Sequence, residues 1–237
     1  MSLSERLKSI RKRVEQAAQR SKFAGQNITI LGASKGQSIN SIRQAAEYGI
    51  LDMGENYAQE LLKKAPLCLD TDIKWHFIGR LQANKIKLIL PYAASIASLD
   101  SLELGEKIAR VASQLDTPRA SVPVLLQVNL GSERQKAGLP PSVIEELFDK
   151  FQDNSGILLA GLMTLPPAHK DLEKMRPYFS EMKKLFDRLR QRHKKPEYFK
   201  VLSMGMSHDF EVAIEEGANC VRIGEALFGP RPKEIEE

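Results

Sequence analysis

Eight short apolar runs alternate with amphipathic segments along this chain, and no other feature constrains its fold as much. The runs cover 28–34, 51–55, 74–79, 95–99, 123–130, 157–164, 199–204 and 220–224. Between them lie helical patterns at 38–48, 57–65, 82–89, 101–115, 141–153, 171–192 and 208–216. Segment 171–192 is the clearest, with Leu172, Met175, Phe179, Met182, Leu185 and Leu189 recurring at steps of three and four. Before the first run, Leu3, Leu7, Ile10, Val14 and Ala17 mark one stripe of a helix within 1–23. Strands separated by helices predict a parallel α/β fold. Eight of them in 237 residues predict a single (β/α)8 TIM-type barrel over 28–229, with an extra N-terminal helix and a tail at 230–237. A doubly wound open sheet is the alternative, but the glycine-rich dinucleotide fingerprint does not follow any strand.

Composition narrows the classes of function. No apolar run approaches membrane-spanning length. Charges interrupt the apolar positions of "MSLSERLKSIRKRVEQAAQR", so it does not read as a secretory signal, and Glu5 and Glu15 argue against a transit peptide. Two cysteines, Cys68 and Cys220, make neither a disulfide framework nor a metal set, which predicts a reducing, cytoplasmic setting without a metal. Cys220 lies in an apolar run and is expected to be a buried thiol. Net charge is +5, and the densest basic run is Arg188 to Lys200. That run reads as a solvated helix end in preference to a nucleic-acid surface, and the basic balance suits a small anionic ligand.

In a barrel of this kind, chemistry belongs at the C-terminal ends of the strands. Lys35 follows the first strand, Glu55 and Asn56 the second, Gly79 and Arg80 the third, and Asn129 the fifth. Met163 and Thr164 close the sixth, Ser203 to Ser207 the seventh, and Arg222 and Gly224 the eighth. Side chains alternate along a strand, so Leu31, Ala33 and Lys35 share a face. If that face is inward, Ala33 leaves room and Lys35 is partly desolvated, which favours a neutral amine able to attack a carbonyl. Ser203, Gly205 and Ser207 precede a helix with Asp209 in its first turn, an arrangement that offers backbone N–H groups and hydroxyls to an anion. The plainer alternative makes Ser207 an N-cap. Asp209 is unfavourable to an anion and is expected to face away. Gly224, before another short helix, adds a second glycine-bearing loop at the usual phosphate position of barrels. Arg222 on an inward face needs an acceptor, either a ligand or an ion pair with Glu211 or Glu225. Together these groups suit a phosphorylated aldehyde such as pyridoxal 5′-phosphate.

The segments "SK" (34–35), "GENYAQE" (54–60), "WHFIGRLQANK" (75–85), "GLMTL" (161–165), "LSMGMSHDFEVAI" (202–214) and "VRIGEALFG" (221–229) span nearly the whole chain. In these segments it resembles the pyridoxal phosphate homeostasis protein family, related to the N-terminal domain of alanine racemases. The resemblance implies a single barrel with pyridoxal 5′-phosphate bound as an aldimine on Lys35. It implies phosphate binding by Ser203, Ser207 and Gly224 with backbone help from Met204, Arg222 beside the pyridine nitrogen, and Asn56 near the ring. His76 and Phe77 lie in a signature segment to which no role is carried over. Gly36 and Gln37 depart from bulkier or more basic family residues, while Lys136 and Gly138 keep those of the fifth-strand loop.

An arginine beside the ring nitrogen disfavours its protonation and weakens the cofactor as an electron sink. Related racemases take a second acid/base group from another domain, and only "PRPKEIEE" follows "VRIGEALFG" here. The expectation is therefore a monomeric carrier of pyridoxal 5′-phosphate that limits its free concentration and passes it to apo-enzymes, with no nucleic-acid or membrane partner. One alternative is a racemase-like enzyme. It would be favoured by a tyrosine or cysteine across the ring from Lys35, whereas Tyr57, at a helix start, is expected to be packing. Another is a cofactor-free Schiff-base aldolase using Glu55 as its carboxylate.

Overall fold

The computed structural model describes residues 1–23, 25, 27–115, 121–131, 138–153, 156–167, 169 and 171–230. Eight parallel strands close into a barrel in chain order: β1 (Thr29–Ala33), β2 (Asp52–Glu55), β3 (Lys74–Phe77), β4 (Ala93–Leu99), β5 (Val122–Val128), β6 (Ile157–Thr164), β7 (Val201–Met206) and β8 (Cys220–Ile223). Helices α1 (Leu3–Arg20), α2 (Ile39–Glu47), α3 (Ala58–Lys64), α4 (Ile86–Ile89), α5 (Leu102–Ser113), α6 (Pro141–Phe151), α7 (Arg176–Arg192), α8 (Phe210–Glu215) and α9 (Glu225–Phe228) lie around it. The predicted barrel and its extra N-terminal helix are both present. Among the described residues no helix is long and apolar enough to cross a membrane.

Strand alternation divides the core in two. Leu31, Ile78, Ala97, Leu125, Met163 and Cys220 fill the barrel interior, while a larger layer that includes Met53, Phe77 and Met204 packs between barrel and helices. A strand side chain therefore belongs to one layer or the other, and its parity decides whether it can reach the mouth.

The predicted stripe of α1 is fully buried: Leu3, Leu7, Ile10, Val14 and Ala17 face the core, behind a capping box of Ser2 and Glu5. Arg6 donates to the carbonyls of Leu227 (2.7 Å) and Phe228 (3.0 Å), so α1 covers the C-terminal end of α9. Segment 171–192 divides where it was expected to be continuous. A short 3-10 turn spans Leu172–Met175, Leu172 is exposed, and α7 begins at Arg176 with Pro177 in its first turn. Pro177 has no N–H to donate to an earlier turn, so the α-helix cannot run through it. β7 runs to Met206, beyond the expected end at 204, with an irregular register between Ser203 and Met206. Part of the basic run is paired: Arg188 and Arg192 bridge to Glu145 and Arg192 to Asp149 on α6, and Lys194 bridges to Asp153 just beyond it. Cys68 and Cys220 are buried free thiols.

Candidate functional site

Arg222 anchors the C-terminal mouth. β8 pairs it with Leu31 of β1, so it shares the inward face, and only 4% of it is exposed. Its guanidinium donates to Ser203 Oγ and to the Thr164 carbonyl, each at 2.8 Å. Both acceptors are neutral, and burial lowers the pKa of the guanidinium. Among the described residues no carboxylate forms an ion pair with it. Glu211, offered above as a partner, instead bridges to Arg13 at 2.7 Å, which corrects that expectation. Asp209 is near enough to be felt, but its Oδ1 accepts the Met206 N–H at 2.6 Å and burial pushes its carboxyl up. It faces its own turn.

The loops after β7 and β8 meet. Ser207 Oγ accepts N–H groups from Gly224 (3.2 Å) and Ala226 (3.4 Å). Ser207 is thus not the N-cap of the helix that follows it; Asp209 holds that position. Gly205 makes the turn feasible. It has φ +90°, and a Cβ there would lie 2.6 Å from Ala213 Cβ and 2.9 Å from Phe210 Cα. A Cβ on Gly224 would sit in ordinary contact with Ala33, at 3.4–3.5 Å, so two small residues stand where the ends of β1 and β8 meet. Met204 is buried with its side chain in the barrel–helix layer, which leaves only its backbone to take part. Ser203 lies a level lower, opposite Cys220, and its hydroxyl serves Arg222 and not the Ser207–Gly224 junction.

Lys35 follows β1 in the parity of Leu31 and Ala33 and is half-buried. Its Nζ donates to Tyr57 Oη at 2.9 Å and lies 4.6 Å from the centre of that ring. Tyr57 is 49% exposed, so it holds the lysine and does not pack into the core as expected. Asn56 sits in the turn before it, where a Cβ on Gly79 would come within 2.0 Å of the Asn56 carbonyl. Gly79 thereby lets the second and third strand ends approach.

The backbone on each side of Lys35 is held from outside the barrel. Lys64 Nζ donates to the Ser34 carbonyl (2.7 Å), to Glu55 Oε1 (2.6 Å) and to Glu60 Oε2 (2.6 Å). Ser34 Oγ donates to Glu55 Oε1 at 2.7 Å, and the Gly36 N–H to Glu60 Oε2 at 2.7 Å. Glu55 is fully buried and its Oε2 has no partner, so burial raises its pKa despite Lys64 and Ser34. Burial also pushes Glu60 up, but Lys64 and the Gly36 N–H outweigh it and leave that carboxyl low. Glu55 shares the outward face of Met53, which removes it from the position an aldolase would need. Lys64 and Glu60 were not picked out from the sequence, although their i, i+4 spacing in α3 is a legible pairing signal.

His76 is far from the mouth. Its ring bonds Ser95 Oγ (2.7 Å) and Asp52 Oδ1 (2.9 Å) in a cavity of about 650 Å³ lined by strand-start residues such as Thr29, Asp52 and Lys74. The hydrogen bond from His76 holds Asp52 below the usual carboxylate range. Phe77 is buried in the barrel–helix layer. Gly138 turns with φ +111°, and Lys136 lies outside the described residues, as does most of the tail.

The family model of the alanine racemase N-terminal domain matches residues 6–232. A pyridoxal phosphate homeostasis protein of Aquifex aeolicus is 41% identical over 231 residues, which is 98% of this chain and 99% of that protein. The chain belongs to the pyridoxal phosphate homeostasis protein family. A member from Schizosaccharomyces pombe is 34% identical over 95% of this chain and 91% of its own. PipY of Synechococcus elongatus PCC7942, solved with PLP bound, superposes with a TM-score of 0.82 at 29% identity, covering 96% of this chain and all of that one.

Proposed function

We propose that this chain binds pyridoxal 5′-phosphate as an aldimine on Lys35 and serves intracellular vitamin B6 homeostasis. The observation that carries the proposal is Arg222, a buried cation whose hydrogen-bond partners are both neutral, at the barrel end where Ala33 and Gly224 are small. A buried charge in that state is costly unless a ligand supplies the missing acceptor. The ring nitrogen of the cofactor is such an acceptor. The Ser207 hydroxyl and the N–H groups around Gly224 would hold the phosphate, with Met204 lending backbone only, and Asn56 would lie near the ring. Ser203 and the Thr164 carbonyl orient the guanidinium. When bound, the cofactor supplies an electron-withdrawing ring, and Arg222 weakens that pull by keeping the ring nitrogen unprotonated. These residues suit storage and hand-over to apo-enzymes better than demanding carbanion chemistry. The exposure of Tyr57 leaves Lys35 open to a competing amine.

Purified protein incubated with pyridoxal 5′-phosphate is expected to be yellow. Borohydride reduction should fix a pyridoxyl group on Lys35, and Lys35→Ala should stay colourless. A colourless wild type with no adduct would end the proposal. The racemase-like alternative draws on the Tyr57 hydroxyl, which bonds Lys35 itself and so stands beside it. Loss of α-hydrogen from alanine in deuterium oxide, abolished in Tyr57→Phe, would favour that alternative over storage.

A further inference from the structure

Outside the barrel mouth, beyond Tyr57, runs a groove of about 920 Å³ within the size range of small-ligand sites. It lies between the start of α3, the β3–α4 connection and α5. Half of its lining is the segment "RLQANK" (80–85), part of the sequence motif "WHFIGRLQANK" to which the Lys35 site gives no role.

Three cations line it: Arg80, Lys85 and Lys107. Among the described residues none of the three side chains has a hydrogen-bond or ion-pair partner, in contrast to Arg188 and Arg192 of α7. Lys85 and Lys107 are half-buried, so their charges are less screened than those of free surface lysines. Asp100 stands near Arg80 without forming an ion pair with it. Gln82, Asn84 and Gln59 add amide donors and acceptors, and the exposed ring of Tyr57 supplies a flat wall.

We infer that this groove is a second, noncovalent site for a phosphorylated compound carrying a planar ring. The three cations would hold the phosphate, and Tyr57 would stack on the ring. A phosphorylated pyridine and a mononucleotide share that chemistry. The charge and shape of the groove are independent of the proposal for Lys35.

The test is calorimetric titration of the full-length protein, first reduced with borohydride in the presence of pyridoxal 5′-phosphate so that the mouth is filled, with pyridoxine 5′-phosphate, which has no aldehyde, and separately with adenosine 5′-monophosphate. At least one should saturate, and the one that does names the source of the ligand. The R80Q/K85Q/K107Q variant, treated in the same way, should weaken binding roughly tenfold or more. Reductive labelling of Lys35 by pyridoxal 5′-phosphate should be the same in R80Q/K85Q/K107Q as in wild type, which also reports that the variant is folded. No saturation by either compound overturns the inference. So does binding that survives the triple variant, since that would place the ligand outside the groove. Failure of Lys35 labelling with intact groove binding would instead overturn the proposed function alone.

Discussion

Two buried cations stand on opposite sides of the Lys35 strand end, and they are treated differently. Lys64, outside the barrel, has Glu55, Glu60 and the Ser34 carbonyl within 2.7 Å. Arg222, inside it, has a hydroxyl and a carbonyl. The first is neutralised by the fold and fixes the backbone around Lys35. The second makes only neutral hydrogen bonds and has no ion pair. Burial of charge alone therefore does not mark a ligand site; burial without a counter-charge does.

The sharpest way to break this contrast is to remove Lys64. Lys64→Met strands the fully buried Glu55, and we expect a loss of about 3–5 kcal/mol in urea unfolding. Adding Glu55→Gln should recover much of it, because the uncompensated charge is then gone. Arg222→Leu should behave oppositely, changing unfolding free energy by under about 1 kcal/mol because no partner charge is left behind. The same variant should fail to retain pyridoxal 5′-phosphate through gel filtration. A large destabilisation by Arg222→Leu would show that its neutral partners suffice.

The pH dependence of stability refines the Lys64 side. Because burial raises Glu55, the folded protein holds that proton more tightly than the unfolded chain does. Its contribution is full below the ordinary carboxylate range and fades as pH rises through the raised value. Glu60, held low, has the opposite sign: its contribution is present above that range and fades as pH falls through its lowered value. Urea midpoints measured from about pH 4 to 7 should thus lose a downward slope with rising pH in Glu55→Gln. The smallest effect is expected from Tyr57→Phe, within about 0.5 kcal/mol of wild type in stability, since the residue is exposed. Its signature is a changed rate of Lys35 labelling, read by absorbance, because the Tyr57 hydroxyl no longer bonds the amine.

Much of this architecture was legible in the chain. The α1 stripe was read residue for residue, because a helix with one buried face must repeat its apolar positions. The strand of residues 157–164 was located to its ends, and Arg222 was placed inward from the alternation with Cys220. Glu55 shows where one-dimensional pattern failed. It stood at a strand end like a mouth residue, and only its shared parity with Met53 hinted that it faced outward. Lys64 carried no signal of burial, since a lysine four residues after a glutamate in a helix usually describes a solvated pair. Ser203 and Ser207 look alike in "SMGMS", yet the irregular register around Gly205 sends one to Arg222 and the other to Gly224.

By itself, then, the sequence determined the barrel, its N-terminal helix and the set of residues at the C-terminal ends of its strands. Local periodicity and strand alternation are properties of the backbone and are written in neighbouring residues. The tertiary structure decided which charges are matched. Glu60 reaches the Gly36 N–H, Ser207 the N–H of Gly224, and Arg222 the carbonyl of Thr164 across separations of 24, 17 and 58 residues. Such pairings depend on closing the barrel, because only closure brings β8 beside β1 and gives the interior a single mouth.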